Sequence, residues 1–415
     1  MEKTELCLTL SGRFGALIFQ RRNLMSILSN TVSVCQFQVA GSLPTGDLFE
    51  WAAERLAKNS FQPIDQTAAE SSFGWVHFDD PNENTFSVPA AFCRDHYLVF
   101  TLRWDQRCVP SAILRNHIKK VEDEFLAANP GLRRVPKQKR VELREAIRGA
   151  LFARTLPSPS TYDAVWDTRT GWVTFTSLSP KIWGLFEDHF RNTFDSLHLM
   201  MIHPFSRAQR VVSDHLRPAL EKANRGATGD VLDLIQDNEW IGWDFLMWLL
   251  YQTMTESSNY TVNQPGPALE GAPFVAYLND RLILLGGGEG AIQKVSIVGP
   301  QDRFSEVRAA LQSGKQITEA TLYLEKEEEI WKMTLKGMMF HFASLKSPPV
   351  KVERDNLTEE ANEKEAVFYE RMSLLEKGFQ LFDSLYGAFL KERLGKEWIE
   401  KERNIREWLS SDKEK

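Results

Sequence analysis

The stretch SSFGWV at residues 71–76 is the starting point for predicting the fold, because Gly74, which has no side chain, separates Phe73 from Trp75. The β-favouring side chains in this run predict a short strand over residues 72–78. Gly74 is then expected to be structural, because it lets Phe73 and Trp75 point to opposite faces of the strand.

The segments on either side of this strand predict an α+β lobe. VSVCQFQV at residues 32–39 alternates as a strand does, and apolar residues at helical spacing over residues 48–56 predict a helix. YLVFTLRW at residues 97–104 predicts a further strand. The order strand, helix, strand, strand favours an α+β class, a mixed multi-lobe protein with antiparallel sheets and long amphipathic helices.

The composition is that of a globular protein. The chain has 415 residues, of which 43% are hydrophobic and 26% are charged, so it is long enough for two or three lobes. Its four cysteines form no CxxC pair, which predicts reduced thiols in a reducing, cytoplasmic compartment. No apolar run approaches the roughly 20 residues of a membrane-spanning helix, so we expect a soluble protein with no membrane contact.

The later part of the chain is harder to interpret. Residues 207–222 predict a charged helix, and EWIGWDFLMWLLYQ at residues 239–252 predicts an aromatic helix that serves as core or as a subunit contact. Two short strands are expected to form a hairpin that turns at Asn279-Asp280. The predicted division of the chain is 1–24 as a non-native or disordered extension before Met25, 25–205 as an N-terminal α+β lobe with basic helices, 206–300 as a variable lobe with the aromatic helix, and 301–415 as a C-terminal α+β lobe ending in long helices.

Enzyme signatures are weak throughout. Gly314-Lys315 is followed by Gln316 rather than by Ser or Thr, so the phosphate-binding loop pattern fails. GGGEG at residues 286–290 lacks the spacing of a dinucleotide site and predicts a turn. Four histidines between residues 189 and 215 match no metal-binding spacing. We therefore expect no enzymatic activity, no metal and no cofactor.

The stronger signal is the distribution of charge. The chain has a formal net charge of −6, yet eleven basic and five acidic residues lie between Arg115 and Arg154. In a helix over residues 136–153, four of the basic residues recur at spacings of three and four and share one face. These four residues, the cationic stripe, are Lys137, Arg140, Arg144 and Arg148. The stripe predicts contacts to successive phosphates of nucleic acid, and a solvated helix face is the alternative.

Six motifs appear in an order that indicates a family. They are SFQPIDQTAAESSFGWV, RCVPSAILRNHIKK, KRVELREAIRGALFARTLPSPS, AVWDTRTGWVTF, LQSGKQITEATLYL and YERMSLLEKGFQLFDSLYGAFL. From Met25 to about Leu394, the sequence resembles the bacterial recombination-associated RdgC family, as a divergent and longer member.

The resemblance implies a horseshoe-shaped subunit that forms a ring-shaped homodimer. It also implies a basic inner surface that encircles double-stranded DNA without sequence preference, restrains RecA-mediated recombination and associates with the nucleoid. The DNA-binding candidates are Lys119, Lys120, Arg133, Arg134, Lys137, Lys139, Arg140, Arg144, Arg148 and Arg154.

Two of the three candidate dimer contacts lie where the chain departs from the family pattern, and the third, Trp248, lies in the aromatic helix that is predicted as core or as a subunit contact. After the basic helix, the family has a Leu-Pro-Arg-Ala-Phe-like segment, in which this chain keeps Arg154 and has Leu156 in place of the aromatic residue. Pro300 replaces a family lysine before Gln301. Leu156, Gln301 and Trp248 are the candidate dimer contacts.

Two other functions remain open at this stage. One is a protein-interaction scaffold that contacts recombination proteins without binding DNA directly. The other is a divergent nuclease, which requires acidic metal ligands near the cationic stripe.

Overall fold

The computed structural model describes residues 26–44, 46–67, 69–226, 231–288, 291–299, 304–351 and 360–411. The predicted extension over residues 1–24 and Met25 lie outside the described residues. Within the described ranges, no helix combines the length and apolar character needed to cross a membrane.

The strands follow the chain in this order. They are β1 (Thr31–Gly41), β2 (Ser71–Val76), β3 (Cys93–Arg94), β4 (Tyr97–Gln106), β5 (Ser158–Asp167), β6 (Trp172–Phe175), β7 (Leu197–Met201), β8 (Asn259–Thr261), β9 (Pro273–Gly288), β10 (Ala291–Val298), β11 (Gln316–Lys326), β12 (Glu329–Lys336) and β13 (His341–Lys346).

The helices and strands come largely in separate runs along the chain, as expected for an α+β protein. The helices are α1 (Leu48–Lys58), α2 (Ser111–Ala128), α3 (Lys137–Arg154), α4 (Pro180–Thr193), α5 (Pro204–Val211), α6 (Arg217–Ala223), α7 (Val231–Asp237), α8 (Glu239–Thr255), α9 (Ser305–Gln312), α10 (Glu360–Arg393) and α11 (Trp398–Ser410). The α+β class predicted from the sequence is confirmed.

The chain forms two compact units, each assembled from separate segments. The first unit contains Met1–Val39, Trp172–Trp183 and Leu199–Lys415, and the second contains Ala40–Gly171 and Gly184–His198. The predicted lobes bounded at residues 205 and 300 stay a prediction.

The second unit is built around the antiparallel strands β2, β4 and β5, with Trp75 at its centre. Trp75 is fully buried, and its ring centroid lies 4.9 Å from that of Phe100. Its indole nitrogen donates a hydrogen bond of 2.7 Å to Thr193 Oγ1. The ring of His189 lies 4.5 Å from that of Trp75 and its Nε2 donates to the carbonyl oxygen of Asn59 at 3.2 Å. Because burial disfavours the charged imidazolium, the pKa of His189 is lowered to about 4.

Gly74 is structural, but for a different reason from the predicted one. The prediction that Phe73 and Trp75 point to opposite faces is wrong, because residues two apart on a strand share a face. Both rings lie close to that of His189, at 5.2 and 4.5 Å. The constraint on Gly74 is the segment beside it, because a Cβ at this position would lie 2.5 Å from Phe61 Cα. The glycine therefore permits close backbone contact, which includes the hydrogen bond from Phe61 N to Trp75 O at 2.9 Å.

The first unit contains an antiparallel sheet in the order β10-β9-β11-β12-β13-β1-β6. Its aromatic core joins α8 to α10 and the sheet. Phe245 of α8 packs edge-on against Phe340, Phe382 and Phe389, with ring centroids 5.4–5.8 Å apart. The interpretation of the aromatic helix as core is confirmed for Phe245 and its buried neighbours.

The predicted hairpin at Asn279-Asp280 is wrong. The strand β9 continues through both residues and pairs with β10 only after them, from Arg281 to Gly288. Asp280 has φ of 62°, and the register with β11 shifts at this point, so the residue marks a β-bulge rather than a turn. Its carboxylate accepts hydrogen bonds from Lys332 and Tyr323, which hold the bulge in place.

The predicted charged helix over residues 207–222 is interrupted. Helix α5 ends at Val211, and Val212 adopts an extended conformation. A 3-10 turn over Asp214–Leu216 follows, and α6 then starts with Pro218 in its first turn. Proline favours a helix start and disfavours a helix interior, so the charge pattern alone overestimated the length of this helix.

Candidate nucleic-acid interface

The basic residues lie on a helical hairpin of the second unit, formed by α2, the connection 129–136 and α3. Neither helix contains a buried residue, although both are fully described. Half-buried apolar side chains, among them Ile118 and Phe125 of α2 and Ile147 of α3, form a seam along the hairpin. The rest of its surface is available to solvent, which is unusual for 36 helical residues and is consistent with a binding element.

Arg107 anchors the end of this hairpin. It is 7% exposed, and its guanidinium donates to the carbonyl oxygens of Phe152 (3.4 Å) and Thr155 (2.5 Å) at the C-terminus of α3. It also donates to the carbonyl oxygens of Ile64 (2.7 Å) and Thr67 (3.0 Å). The positive charge is stabilised by these carbonyl dipoles and by the negative end of the helix dipole. Arg107 thus fixes where α3 leaves the body of the unit.

The cationic stripe predicted from the sequence lies on α3. Lys137, Arg140, Arg144 and Arg148 are all exposed and, at about 100° per residue, fall within a sector of about 80°. With a rise of about 1.5 Å per residue, the stripe extends over about 16 Å of the helix. The stripe therefore presents its charge to one side of α3.

Carboxylates accompany two of the four residues. Arg140 Nε lies 3.3 Å from Glu122 Oε1 of α2, and Arg148 Nη2 lies 4.0 Å from Glu70 Oε2. Lys137 and Arg144 have no ion pair within the described part of the chain. Exposed ion pairs of this kind contribute little free energy, so Arg140 and Arg148 can exchange a carboxylate for a phosphate at low cost.

The remaining basic candidates surround the stripe on the same hairpin. Lys119 and Lys120 are exposed on α2, and Arg133 and Arg134 are exposed in the connection. Lys139 pairs with Glu142 at 2.8 Å, and Arg154 is the last residue of α3. All ten predicted DNA-binding residues are thus brought together on one element.

Acidic residues limit the positive surface at the base of α3. A cleft of about 290 Å³ there is lined by Glu70 and Glu145 as well as by Arg107 and Arg148. Charges of opposite sign at short range cancel much of each other's field. Among the described residues, the members of the stripe without a carboxylate partner are therefore Lys137 and Arg144.

The three candidate dimer contacts have different positions. Leu156 is 76% exposed directly after α3, so it is accessible to a second copy. Trp248 is fully buried in the first unit, where its Nε1 donates to Glu392 Oε2 at 3.1 Å. Its side chain belongs to the core of its own subunit and offers no surface to another subunit. Gln301 lies outside the described residues.

Sequence reasoning missed the anchoring role of Arg107. The signal was present, because Arg107 begins the motif RCVPSAILRNHIKK that carries part of the family resemblance. Its burial, however, depends on carbonyl oxygens from segments 38 to 48 residues away, which no local pattern reveals.

Comparison with known proteins assigns a family to the part of the chain that carries the hairpin. The family model described as "Putative exonuclease, RdgC" matches residues 37–224. This part of the chain belongs to the RdgC family. The matched residues run from β1 to the end of α6 and include the whole α2–α3 hairpin, so the candidate interface lies inside the RdgC region. No curated protein matches the chain.

The word exonuclease in the RdgC description raises the question of metal ligands. Among the residues that the structure describes, no group of three or more His, Cys, Asp or Glu side chains is arranged to hold a metal ion. Cys35, Cys93 and Cys108 are free thiols, as the sequence predicted for the described cysteines.

Proposed function

We propose that this protein binds double-stranded DNA without sequence preference, through the cationic stripe on α3 and the basic residues around it. The observation that supports the proposal most directly is the exposed helical hairpin, in which Lys137 and Arg144 have no carboxylate partner among the described residues although the whole chain is net acidic. A local excess of positive charge attracts phosphates whatever the net charge of the protein.

The spacing of the stripe suits a phosphate backbone. Successive members of the stripe are three or four residues apart, which is about one helical turn, or about 5 Å. Duplex DNA carries one charge per roughly 1.7 Å of its axis, so each side chain finds a phosphate within reach at any position along the duplex. Contacts of this kind position a protein on DNA and carry no sequence information.

The family resemblance extends the proposal to assembly and biological role. Two copies form a ring dimer of horseshoe-shaped subunits, with the stripes facing a hole that holds the duplex. Occupied DNA is less accessible to RecA, and this restrains strand exchange in the nucleoid. We propose this role without an enzymatic step and without a cofactor. The exposed side chain of Leu156 supports its assignment as a dimer contact.

The proposal is tested by charge reversal on the hairpin. The triple variant Arg140→Glu, Arg144→Glu, Arg148→Glu is expected to lose retention of a short blunt duplex by at least 100-fold, because three attractive contacts become repulsive. The matched control is Arg191→Glu, Arg217→Glu, Arg403→Glu, which reverses the same number of exposed arginines elsewhere. Fluorescence anisotropy measures both affinities, and size-exclusion chromatography shows whether the oligomeric state is unchanged.

The same assay distinguishes the alternatives. If the hairpin variant and the control bind DNA equally well, the stripe is not the interface. A protein-interaction scaffold predicts that neither duplex nor the competitor heparin binds to the wild-type protein. A nuclease predicts shortening of an end-labelled duplex once magnesium is added, and that result would contradict the non-enzymatic proposal.

A further inference from the structure

A pocket of about 580 Å³ lies in the first unit, whereas the cationic stripe belongs to the second. Its walls come from the start of α4, the start of α8, strands β9 and β11, and the turn between β12 and β13. This volume is in the range of small-molecule sites, about 300–1,000 Å³. No motif in the sequence indicated this pocket, and the DNA-binding proposal makes no use of it.

A close helix contact forms one wall. Helix α8 meets the turn after β12 at Gly242 and Gly337, where a Cβ on Gly242 would overlap the carbonyl oxygen of Gly337. This contact fixes the first turn of α8, which brings Glu239 and Trp243 to the rim of the pocket. The pocket is therefore a consequence of tight packing between two core elements rather than of a loose surface loop.

The lining is mostly apolar and aromatic. Trp183 and Trp243 line it together with Met338, Met339 and Ile292. Aromatic faces bind flat ligands, and methionine side chains adjust to the ligand outline. These walls favour a planar, largely apolar ligand.

One buried polar group of the lining has an unsatisfied atom. His341 is 3% exposed, its ring lies 4.8 Å from that of Trp183, and its Nε2 has no hydrogen-bond partner in the part of the chain that the structure describes. Burial lowers the pKa of His341 to about 3, so its imidazole is neutral at physiological pH. An unsatisfied buried group costs about 1–3 kcal/mol, so a ligand that supplies its partner gains affinity.

A carboxylate at the rim also lacks a partner. Glu239 is half-buried and has no ion pair among the described residues, and burial raises its pKa. Lys336 lines the same pocket but lies directly across the strand pair from Glu319, which lines it too. Glu239 is therefore the carboxylate of the lining that can accept a hydrogen bond from a ligand, since Glu319 faces Lys336.

We propose that this pocket binds a neutral, planar heteroaromatic ligand that carries an amino group, the chemistry of a nucleobase such as cytosine or adenine. The amino group donates to Glu239, the ring lies against Trp243 and Trp183, and a ring nitrogen or N–H reaches His341. The inference does not rest on the DNA-binding proposal, since neither phosphates nor the α2–α3 hairpin take part.

Matched nucleosides test the inference in the full-length protein. Cytidine and uridine differ by an amino group against a carbonyl at one ring position, and adenosine and inosine differ in the same way. Isothermal titration calorimetry is expected to show cytidine and adenosine binding about 10- to 100-fold more tightly than their carbonyl counterparts, the effect of one hydrogen bond to a charged group. Nucleosides carry no phosphate, so the result is independent of DNA binding.

Three variants locate the site. Glu239→Gln is expected to remove the preference for the amino nucleosides, and Met338→Trp, at a position 46% exposed, is expected to fill the pocket and abolish binding of all four. Glu270→Gln, on an exposed loop outside the pocket, is the control and leaves binding unchanged. The inference is overturned if no nucleoside binds at millimolar concentration, if each pair binds equally, or if the preference survives in Glu239→Gln.

Discussion

Arg107 shows how a buried charge can be held without a carboxylate. Besides the carbonyl oxygens already named, its guanidinium donates to those of Asp65 and Ala69, both at 3.2 Å. The planar guanidinium of arginine donates to several acceptors in fixed directions, whereas the ammonium of lysine is a single point of charge. A single side chain therefore joins two backbone segments that would otherwise leave polar groups unpaired.

Replacing Arg107 tests this role. Arg107→Met is expected to lower the free energy of unfolding by about 3 kcal/mol, because buried carbonyl oxygens lose their donors. Arg107→Lys is expected to be less destabilising than Arg107→Met but still less stable than the wild type, since lysine keeps the charge but lacks the planar set of donors of a guanidinium. Urea denaturation measures both. Arg115→Met removes an exposed arginine that donates only within its own helix, and a loss as large there would contradict the argument.

His189 predicts a pH dependence of stability. Its pKa is about 4 in the folded protein and about 6.5 in an unfolded chain, so the unfolded state binds the extra proton between these values. Stability is then fully present above pH 6.5 and is lost toward pH 4, by about 1.4 kcal/mol per pH unit. His189→Phe is expected to be less stable at pH 7.5, because the carbonyl oxygen of Asn59 keeps only its hydrogen bond from Trp75 N. Its unfolding free energy is expected to change less with pH, because one titrating group is removed.

Thermal unfolding at several pH values between 4 and 7.5 provides the measurement. The control is His198→Gln, at an exposed position of the same unit, which is expected to keep the wild-type slope. An unchanged slope in His189→Phe would show that this imidazole is not the group that titrates.

The strand β2 depends on a backbone contact that only glycine allows. Gly74→Ala is expected to destabilise the protein by about 2 kcal/mol or more, because the new Cβ would lie 2.5 Å from Phe61 Cα and the segment that contains Phe61 would have to move away from β2. Gly149→Ala on α3 is the matched control, since nothing lies within 4 Å of its Cβ position. That substitution is expected to stabilise by about 0.5–1 kcal/mol through helix propensity. Equal effects of the two changes in a calorimetric scan would refute the contact argument.

Local patterns predicted the elements that are governed by local interactions. The helix over 136–153 is observed as α3 (Lys137–Arg154), and the strand over 97–104 is observed as β4 (Tyr97–Gln106). At Asp280 the pattern failed, because the bulge is stabilised by Lys332 and Tyr323 from strands more than 40 residues away. Turn-forming residues look alike in a bulge and in a hairpin, and only the partner strand distinguishes the two.

In the candidate site too, the sequence predicted only what interactions within one helix determine. Helical spacing correctly placed the cationic stripe on one face of α3, since that depends on geometry within the helix. The ion pairs of Arg140 with Glu122 and of Arg148 with Glu70 were not predictable, because they join the helix to residues distant in sequence. The pocket beside Glu239 and His341 was not predictable for the same reason.

The charge of the whole molecule gives a quantitative prediction for DNA binding. A protein with net charge −6 binds a polyanion only through a local excess, so its affinity should depend steeply on salt. With four phosphate contacts in each subunit of the proposed dimer, log K against log salt is expected to have a slope of about −7. Anisotropy titrations across a range of salt concentrations measure the slope, and a value shallower than about −2 would contradict electrostatic binding at the stripe.

The strand β1 has consequences for how the protein is made. It pairs with β6 at Cys35 and Phe175 and also with β7, and its first residues pair with β13, where Ser33 and Ser344 are 311 residues apart. At about 5–20 residues per second of synthesis, β13 leaves the ribosome roughly 15–60 s after this first part of β1. An open edge is a template for pairing with a neighbouring nascent chain. Folding in the cell therefore requires that polysomes keep such chains apart, or that a chaperone covers this edge until translation is nearly finished.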